Sequence, residues 1–169
     1  MVDCLHNKIH ELSIIKRKSS DGFTLLELIV VFTVIAILST MGIASFVSYS
    51  RNQTLVQAGS DLENTITLAR SRALSQVVPA VCSGQVLNGY QVDINTLNNS
   101  YTLSVICLGT HSIQTTTLPA NITFSSQTTA SSIFYPVISS GATGGNTKIV
   151  LTGYSKTLTI TIDNNGNIR

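Results

Sequence analysis

Apolar side chains dominate the chain between residues 23 and 47, the longest such run in the sequence. Over these 25 positions Glu27 is the only charged residue, and there is no proline. As an α-helix the run would be about 37 Å long, which exceeds the roughly 30 Å of a bilayer's hydrocarbon core. The pattern therefore predicts a transmembrane helix over residues 23–47.

Beyond residue 47 apolar or small residues recur at intervals of three or four, the spacing of one face of an amphipathic helix. The pattern predicts that the helix continues over residues 48–77. It should end at Val77-Val78-Pro79, because β-branched side chains and a proline disfavour another helical turn. The residues of the apolar face are Leu55, Gly59, Leu62, Ile66, Ala69, Ala73 and Val77.

After Pro79 the pattern changes to short segments rich in Ile, Val, Thr, Tyr and Phe, separated by turns containing Gly or Asn. Residues 78–169 are therefore predicted to form a β-rich domain. The whole chain should have an α+β fold, in which the amphipathic half of a long N-terminal helix packs on an antiparallel sheet. The candidate strands are 80–82, 90–94, 101–108, 113–118, 122–124, 133–138, 148–151 and 157–162.

Basic residues are distributed unevenly around the apolar run. Lys8 and three consecutive basic residues at 16–18 precede it, whereas only Arg51 follows it closely. The positive-inside bias predicts a cytoplasmic N-terminus and a single membrane pass, with residues 50–169 on the outer side.

A short motif opens the apolar run. The basic residues 16–18 are followed by a polar bridge, by Gly22, and by Phe23 with a glutamate, Glu27, at the fifth position counted from that phenylalanine. A carboxylate at the bilayer centre costs about 2.5–3.5 kcal/mol, and less near the end of a span, so Glu27 is expected to have a partner. The arrangement resembles the class III signal of type IV pilins and of type II secretion pseudopilins.

In that family a membrane peptidase cuts after the glycine and methylates the new N-terminal residue. The resemblance implies that residues 1–22 are a leader, with cleavage after Gly22 and methylation of Phe23. It also implies that Glu27 meets the N-terminal amine of a neighbouring subunit during assembly. The implied partners are the prepilin peptidase, other pilins or pseudopilins, and an inner-membrane assembly platform. The alternative is an ordinary signal anchor whose glutamate reaches the membrane surface.

The second half of the helix resembles one particular branch of these pilin-like proteins. A resemblance to the GspH/FimT family is found in residues 61–74, which contain Leu68-Ala69-Arg70-Ser71-Arg72-Ala73, and in residues 79–82. Residues 159–169 resemble that family's closing strand and tail. The family includes minor pseudopilins of type II secretion and minor type IV pilins, some of which act in DNA uptake and end in Gly-Arg-x-Arg. In this chain Gly166-Asn167-Ile168-Arg169 lacks the first arginine.

Two cysteines, Cys82 and Cys107, remain after the leader with Cys4 is removed. An even number in an oxidising compartment favours a disulfide, with two buried free thiols as the alternative.

The six basic and five acidic residues after Gly22 give a net charge of only +1. Any contact with nucleic acid should therefore be weak, and would fall on the basic residues of the last strands and tail. These are Lys148, Lys156 and Arg169.

No metal-ligand spacing, Gly-rich phosphate loop or nucleophile elbow occurs in the sequence. His111 is the only histidine after Gly22 and is predicted to lie on the surface. We therefore expect no catalytic residue, no cofactor and no metal.

We interpret the chain as a pilin-like minor subunit of the inner membrane, which serves either type II secretion as an H-type pseudopilin or a type IV pilus as a FimT-type minor pilin. A membrane-anchored enzyme is the hypothesis from another class.

Overall fold

The computed structural model describes residues 22–139, 141–143 and 146–169, without the side chains of residues 40–42. The predicted leader, including Cys4, lies outside the described residues except for Gly22. The chain divides into two compact units, Met1–Ile43 and Ala44–Arg169.

The helix α1 comprises Leu25–Leu74. It ends in a Schellman motif, because Gln76 takes a left-handed conformation with φ of 51°. The N–H groups of Gln76 and Val77 donate to the carbonyls of Ala73 and Arg72 over 3.2 and 3.1 Å. The helix therefore stops short of the predicted boundary at residue 77, and Val77 is exposed rather than part of the buried face.

One helix in the described part of the chain, α1, is long and apolar enough to cross a membrane. Its most apolar stretch is entirely exposed. Phe32, Leu38 and Phe46 each expose more than half of their surface. Such a surface requires lipid or another apolar surface as its environment.

In the described part of the chain, seven strands follow the helix and form two antiparallel sheets, where the sequence predicted a single sheet. The strands are β1 Gly89–Asn95, β2 Ser100–Ile106, β3 Thr110–Thr117, β4 Ile122–Phe124, β5 Ser132–Pro136, β6 Thr147–Gly153 and β7 Lys156–Ile162. The first sheet has the order β3-β2-β1-β5 and the second the order β4-β6-β7. The predicted strand at Ala80–Cys82 is instead a turn of 3₁₀-helix.

Residues 125–131 explain why two sheets form. The N–H groups of Ser125 and Thr129 donate to carbonyls of β6, at Val150 and Lys148, over 2.7 and 2.8 Å. Ser131 then accepts a hydrogen bond from Ile94 of β1 over 2.8 Å. This segment therefore lies along the edge of one sheet and then joins the other, so β6 pairs with β4 and β7 and not with β1.

The buried face of α1 packs on both sheets in one core. Leu62, Ile66, Ala69 and Ala73 are completely buried. Gly59 allows a close approach, because a Cβ built there would lie 2.2 Å from Cδ2 of Leu158 on β7. The predicted alternation of residues 157–162 is also found, with Ile160 and Ile162 buried in this core.

Two buried tyrosines of the core differ in the environment of their hydroxyl groups. Tyr90 donates a hydrogen bond to the carbonyl of Val77 over 2.7 Å. The Tyr135 hydroxyl is buried with no hydrogen-bond partner among the described residues. Burial raises the pKa of Tyr135, and the Arg70 charge acts in the opposite direction. The Tyr135 hydroxyl therefore remains protonated and desolvated, which is unfavourable for the folded state.

We expect Tyr135→Phe to leave the free energy of unfolding unchanged or to raise it by about 1 kcal/mol, because it removes an unsatisfied buried group. Tyr90→Phe is the matched control and should lower it by about 1–2 kcal/mol, since the Val77 carbonyl loses its donor. Denaturant unfolding of the two variants in detergent measures both values. An equal loss in both variants would contradict the assignment of Tyr135 as unpaired.

Candidate functional site

Gly22 and Phe23 precede the first turn of α1 and are exposed. A Cβ built on Gly22 would meet no described atom within 4 Å. No contact among the described residues therefore requires glycine at position 22. A requirement for glycine here would come from a protein that must approach the backbone closely, as a peptidase does.

Glu27 lies in the first turn of α1 with its side chain exposed. Its N–H donates to the Thr24 hydroxyl oxygen over 3.2 Å, so Thr24 caps the helix. The spacing Thr24-x-x-Glu27 is that of a capping box, a signal that the sequence interpretation missed although it can be read from the residues. The positive end of the helix dipole also favours a carboxylate here.

The predicted pairing of Glu27 needs a cation that the uncleaved chain does not supply. The nitrogen of Phe23 is an uncharged amide while Gly22 precedes it. Cleavage would convert it into an amine, which carries a positive charge at neutral pH in water. Glu27 lies at the start of an exposed apolar helix, and its pairing with that amine on a neighbouring subunit stays a prediction.

The C-terminal tail folds back onto α1 through Arg70. Its guanidinium donates to the Asn165 carbonyl and to Oδ1 of Asn167, each over 3.1 Å. Asp163 Oδ1 accepts the N–H groups of Asn165 and Asn167 over 2.9 and 2.8 Å. Hydrogen bonding, chiefly from the Asn167 N–H, lowers the pKa of Asp163. Arg70 thus binds the tail through one backbone carbonyl and one asparagine side chain.

The three predicted DNA-contact residues do not lie together. Lys148 is opposite Thr161 in the β6–β7 pair, and Thr161 exchanges two hydrogen bonds of 2.9 Å with the backbone of Arg169. These residues line a concavity of about 300 Å³, which Asp163 also lines. Lys156 begins β7 at the other end of the hairpin, about 17 Å away along the strand. Lys148 and Arg169 are thus brought together and Lys156 is not.

The structure joins Cys82 and Cys107 in a disulfide, with their Cα atoms 6.0 Å apart. Both side chains are buried. Cys82 ends the 3₁₀-helix and Cys107 follows β2, so the bond connects the loop after α1 to the end of the first sheet. The Leu108 N–H reinforces this connection by donating to Oε1 of Gln85 over 3.2 Å.

His111 lies on the edge strand β3 and is half-buried. Among the described residues no group of three or more His, Cys, Asp or Glu side chains could hold a metal ion.

Residues 17–43 match the family model of the prokaryotic N-terminal methylation motif. This match identifies a type IV pilin-like prepilin signal and supports a type IV pilin or pseudopilin. It spans Arg17 and Lys18, the Gly22-Phe23 pair, Glu27 and most of the apolar run, and does not extend into the unit Ala44–Arg169. No curated protein and no solved structure matches the chain.

Proposed function

We propose, on the basis of the prepilin signal at residues 17–43, that the chain is a minor pilin-like structural subunit of the GspH/FimT type. In this proposal it acts in protein secretion as an H-type pseudopilin, assembled into an envelope-spanning pseudopilus. The signal carries the proposal, because cleavage, methylation and helix-mediated assembly all act on these residues. The α+β domain that follows provides the exposed body of the subunit.

Assembly, in this mechanism, uses the exposed apolar part of α1 twice. The helix first lies in the bilayer, and then exchanges lipid for the helices of neighbouring subunits. Glu27 selects the position of contact, because a carboxylate in an apolar bundle is tolerated when it pairs with a cation. Cleavage after Gly22 supplies that cation at Phe23, so an uncleaved precursor would lack the pair.

The GspH/FimT assignment is supported by a contact between its two separate segments. Within Leu68-Ala69-Arg70-Ser71-Arg72-Ala73, the two alanines are buried against the sheets, and Arg70 binds the tail at Asn165 and Asn167. The residues that resemble the family at the end of the helix therefore hold the residues that resemble it at the C-terminus.

The proposed location is the inner membrane, crossed once, with residues 50–169 periplasmic or extracellular in the filament. The proposed partners are the prepilin peptidase, other pilins or pseudopilins, and the assembly platform.

We propose a structural role and no enzymatic one. A membrane-anchored enzyme remains the rival, and saturating substitution of His111 without loss of filament function would count against it.

Processing tests the proposal directly. Intact-mass analysis of the membrane fraction should show a chain that begins at Phe23 and carries one added methyl group. The same chain from cells without the peptidase is the control and should retain residues 1–22. A chain that keeps its leader in cells with an active prepilin peptidase would contradict the proposed function.

A FimT-type minor pilin of a type IV pilus is the second candidate, and it is favoured by Lys148 and Arg169, which line one concavity. Two cations and a net charge of +1 do not supply the six to ten phosphate contacts of a strong binder. We expect weak DNA binding in gel shifts at about 50 mM salt and its loss at about 200 mM. Lys148→Gln with Arg169→Gln should abolish it, whereas Lys156→Gln should not. Tight binding at the higher salt would make DNA uptake the leading function.

A further inference from the structure

The turn of the β6–β7 hairpin meets α1 just beyond the apolar run. Tyr154 and Ser155 form a two-residue turn between Gly153 and Lys156, with φ of 53° and 62°. Positive φ at both positions is typical of a type I′ turn, whose twist matches that of the paired strands. The turn is therefore a tight and well-defined structure.

Two contacts attach this turn to the helix. The Lys156 ammonium donates to Oδ1 of Asn52 over 3.1 Å. The Arg51 guanidinium lies over the Tyr154 ring, 5.4 Å from its centroid, within the range of a cation–π interaction. We call Ser48, Arg51, Asn52, Tyr154 and Lys156 the hairpin cluster.

The hairpin cluster lines a concavity of about 150 Å³, which Ala44 and Val47 complete. A second and larger concavity shares Ser48, Asn52 and Lys156 with it. The first is bounded by two cations, a hydroxyl, an amide and an aromatic ring, which are groups suited to bind a phosphate oxygen. Lys156 borders both concavities, so its ammonium remains accessible.

Positive charge in the hairpin cluster is not neutralised locally. Within the described residues no carboxylate forms an ion pair with Arg51 or Lys156, and both side chains are exposed. The next carboxylate along α1 is that of Asp61, about 15 Å beyond Arg51. The cluster therefore presents two cations to a common ligand.

The hairpin cluster lies close to the end of the apolar run of α1. Arg51 follows the last residue of the apolar run, Val47, by one helical turn, or about 6 Å. Tyrosine is enriched where a span leaves the hydrocarbon, and Lys and Arg side chains at the interface act as anchors there. The hairpin brings Tyr154 and Lys156 to this part of α1 although they are more than 100 residues away in sequence.

We propose that the hairpin cluster binds the headgroup phosphates of anionic phospholipids on the outer surface of the membrane before the subunit enters the filament. The inference rests on the proposed function, since it requires α1 to span the bilayer. Carboxylates of a neighbouring subunit are the alternative ligand. A second copy is a poor source of them, because residues 23–169 carry only five Asp and Glu side chains and one of these, Glu27, is assigned to the Phe23 amine.

The test uses the mature chain reconstituted in vesicles, with Tyr154→Trp as the reporter, because the sequence contains no other tryptophan. Brominated phosphatidylcholine quenches a tryptophan that lies near the bilayer. Increasing the share of phosphatidylglycerol should increase this quenching. Arg51→Gln or Lys156→Gln should each raise the share needed for half the effect roughly fivefold, the gain typical of one basic residue near an anionic surface.

The matched control is Lys148→Gln with Arg169→Gln, which removes two charges from the other end of the same strands and should leave the quenching curve unchanged. An equal shift in control and test variants would contradict the proposal. The proposal would also be contradicted if the Arg51 and Lys156 variants kept the wild-type quenching curve but were lost from filaments. That result would favour a neighbouring subunit as the ligand. A response to inorganic phosphate on vesicles of phosphatidylcholine alone would indicate a free-anion site and also overturn it.

Flotation with the vesicles separates this inference from the proposed function. A chain that does not float with phosphatidylcholine vesicles is not anchored by α1, and the proposed function fails. A chain that floats without any dependence of quenching on phosphatidylglycerol contradicts only the lipid contact.

Discussion

Loss of the Cys82–Cys107 disulfide is expected to lower the free energy of unfolding by about 3.5 kcal/mol. The bond closes a loop with a sequence separation of 25 residues, and the chain-entropy model gives that value for such a loop. Stabilities of small domains are about 5–15 kcal/mol, so the change is large. Denaturant unfolding of the mature chain in detergent, with and without dithiothreitol, measures it.

The variant in which Cys82 and Cys107 are both replaced by alanine is the control. It should resemble the reduced wild type and should show no response to dithiothreitol. Peptide mapping under non-reducing conditions checks the bond itself. If both cysteines react with an alkylating reagent without prior reduction, the disulfide does not form in the cell and the prediction is wrong.

Glu27→Leu should abolish entry into filaments while preserving membrane insertion. Insertion should be equal or better, because leucine replaces a residue that is costly in the bilayer. Assembly should fall because the amine of Phe23 would be buried without its counter-ion. Removing one partner of a buried pair costs about 3–5 kcal/mol, equivalent to about two orders of magnitude or more in association. Immunoblots of membrane and sheared-filament fractions measure the two effects.

Thr33→Leu is the matched control, since it places a leucine in the same apolar run. Thr33 donates only to the Val30 carbonyl of its own helix, over 2.8 Å, so filament recovery should remain near that of the wild type. Glu27→Asp keeps the charge and should recover part of the assembly. Equal recovery of Glu27→Leu and wild type from filaments would exclude Glu27 from the mechanism.

Most of the fold could be predicted from local patterns. Alternation of Leu and Ile with Thr at 157–162 predicted both the strand β7 and its buried side, because side chains alternate across a strand. The recurrence of apolar residues from Leu55 to Ala73 predicted the buried face of α1. The segment 80–82 was misread, because β-branched and apolar residues suit a strand, but no neighbouring strand pairs with it. The β-branched residues and Pro79 predict a helix end at Val77, but the helix ends at Leu74 because Gln76 takes a left-handed conformation, which is unusual for a residue other than glycine or asparagine.

The sequence by itself determined the anchor and the prepilin signal. Both depend on residues that are close together along the chain, in a continuous apolar run opened by Gly22, Phe23 and Glu27, so no tertiary contact is needed to recognise them. Pairings between distant residues could be decided only by the tertiary structure. It divided the strands into two sheets, bound Arg70 to the tail, and separated Lys156 from Lys148 and Arg169 by placing it beside Asn52. The physical reason is that these contacts depend on strand register and on the packing of α1, which local residue patterns do not encode.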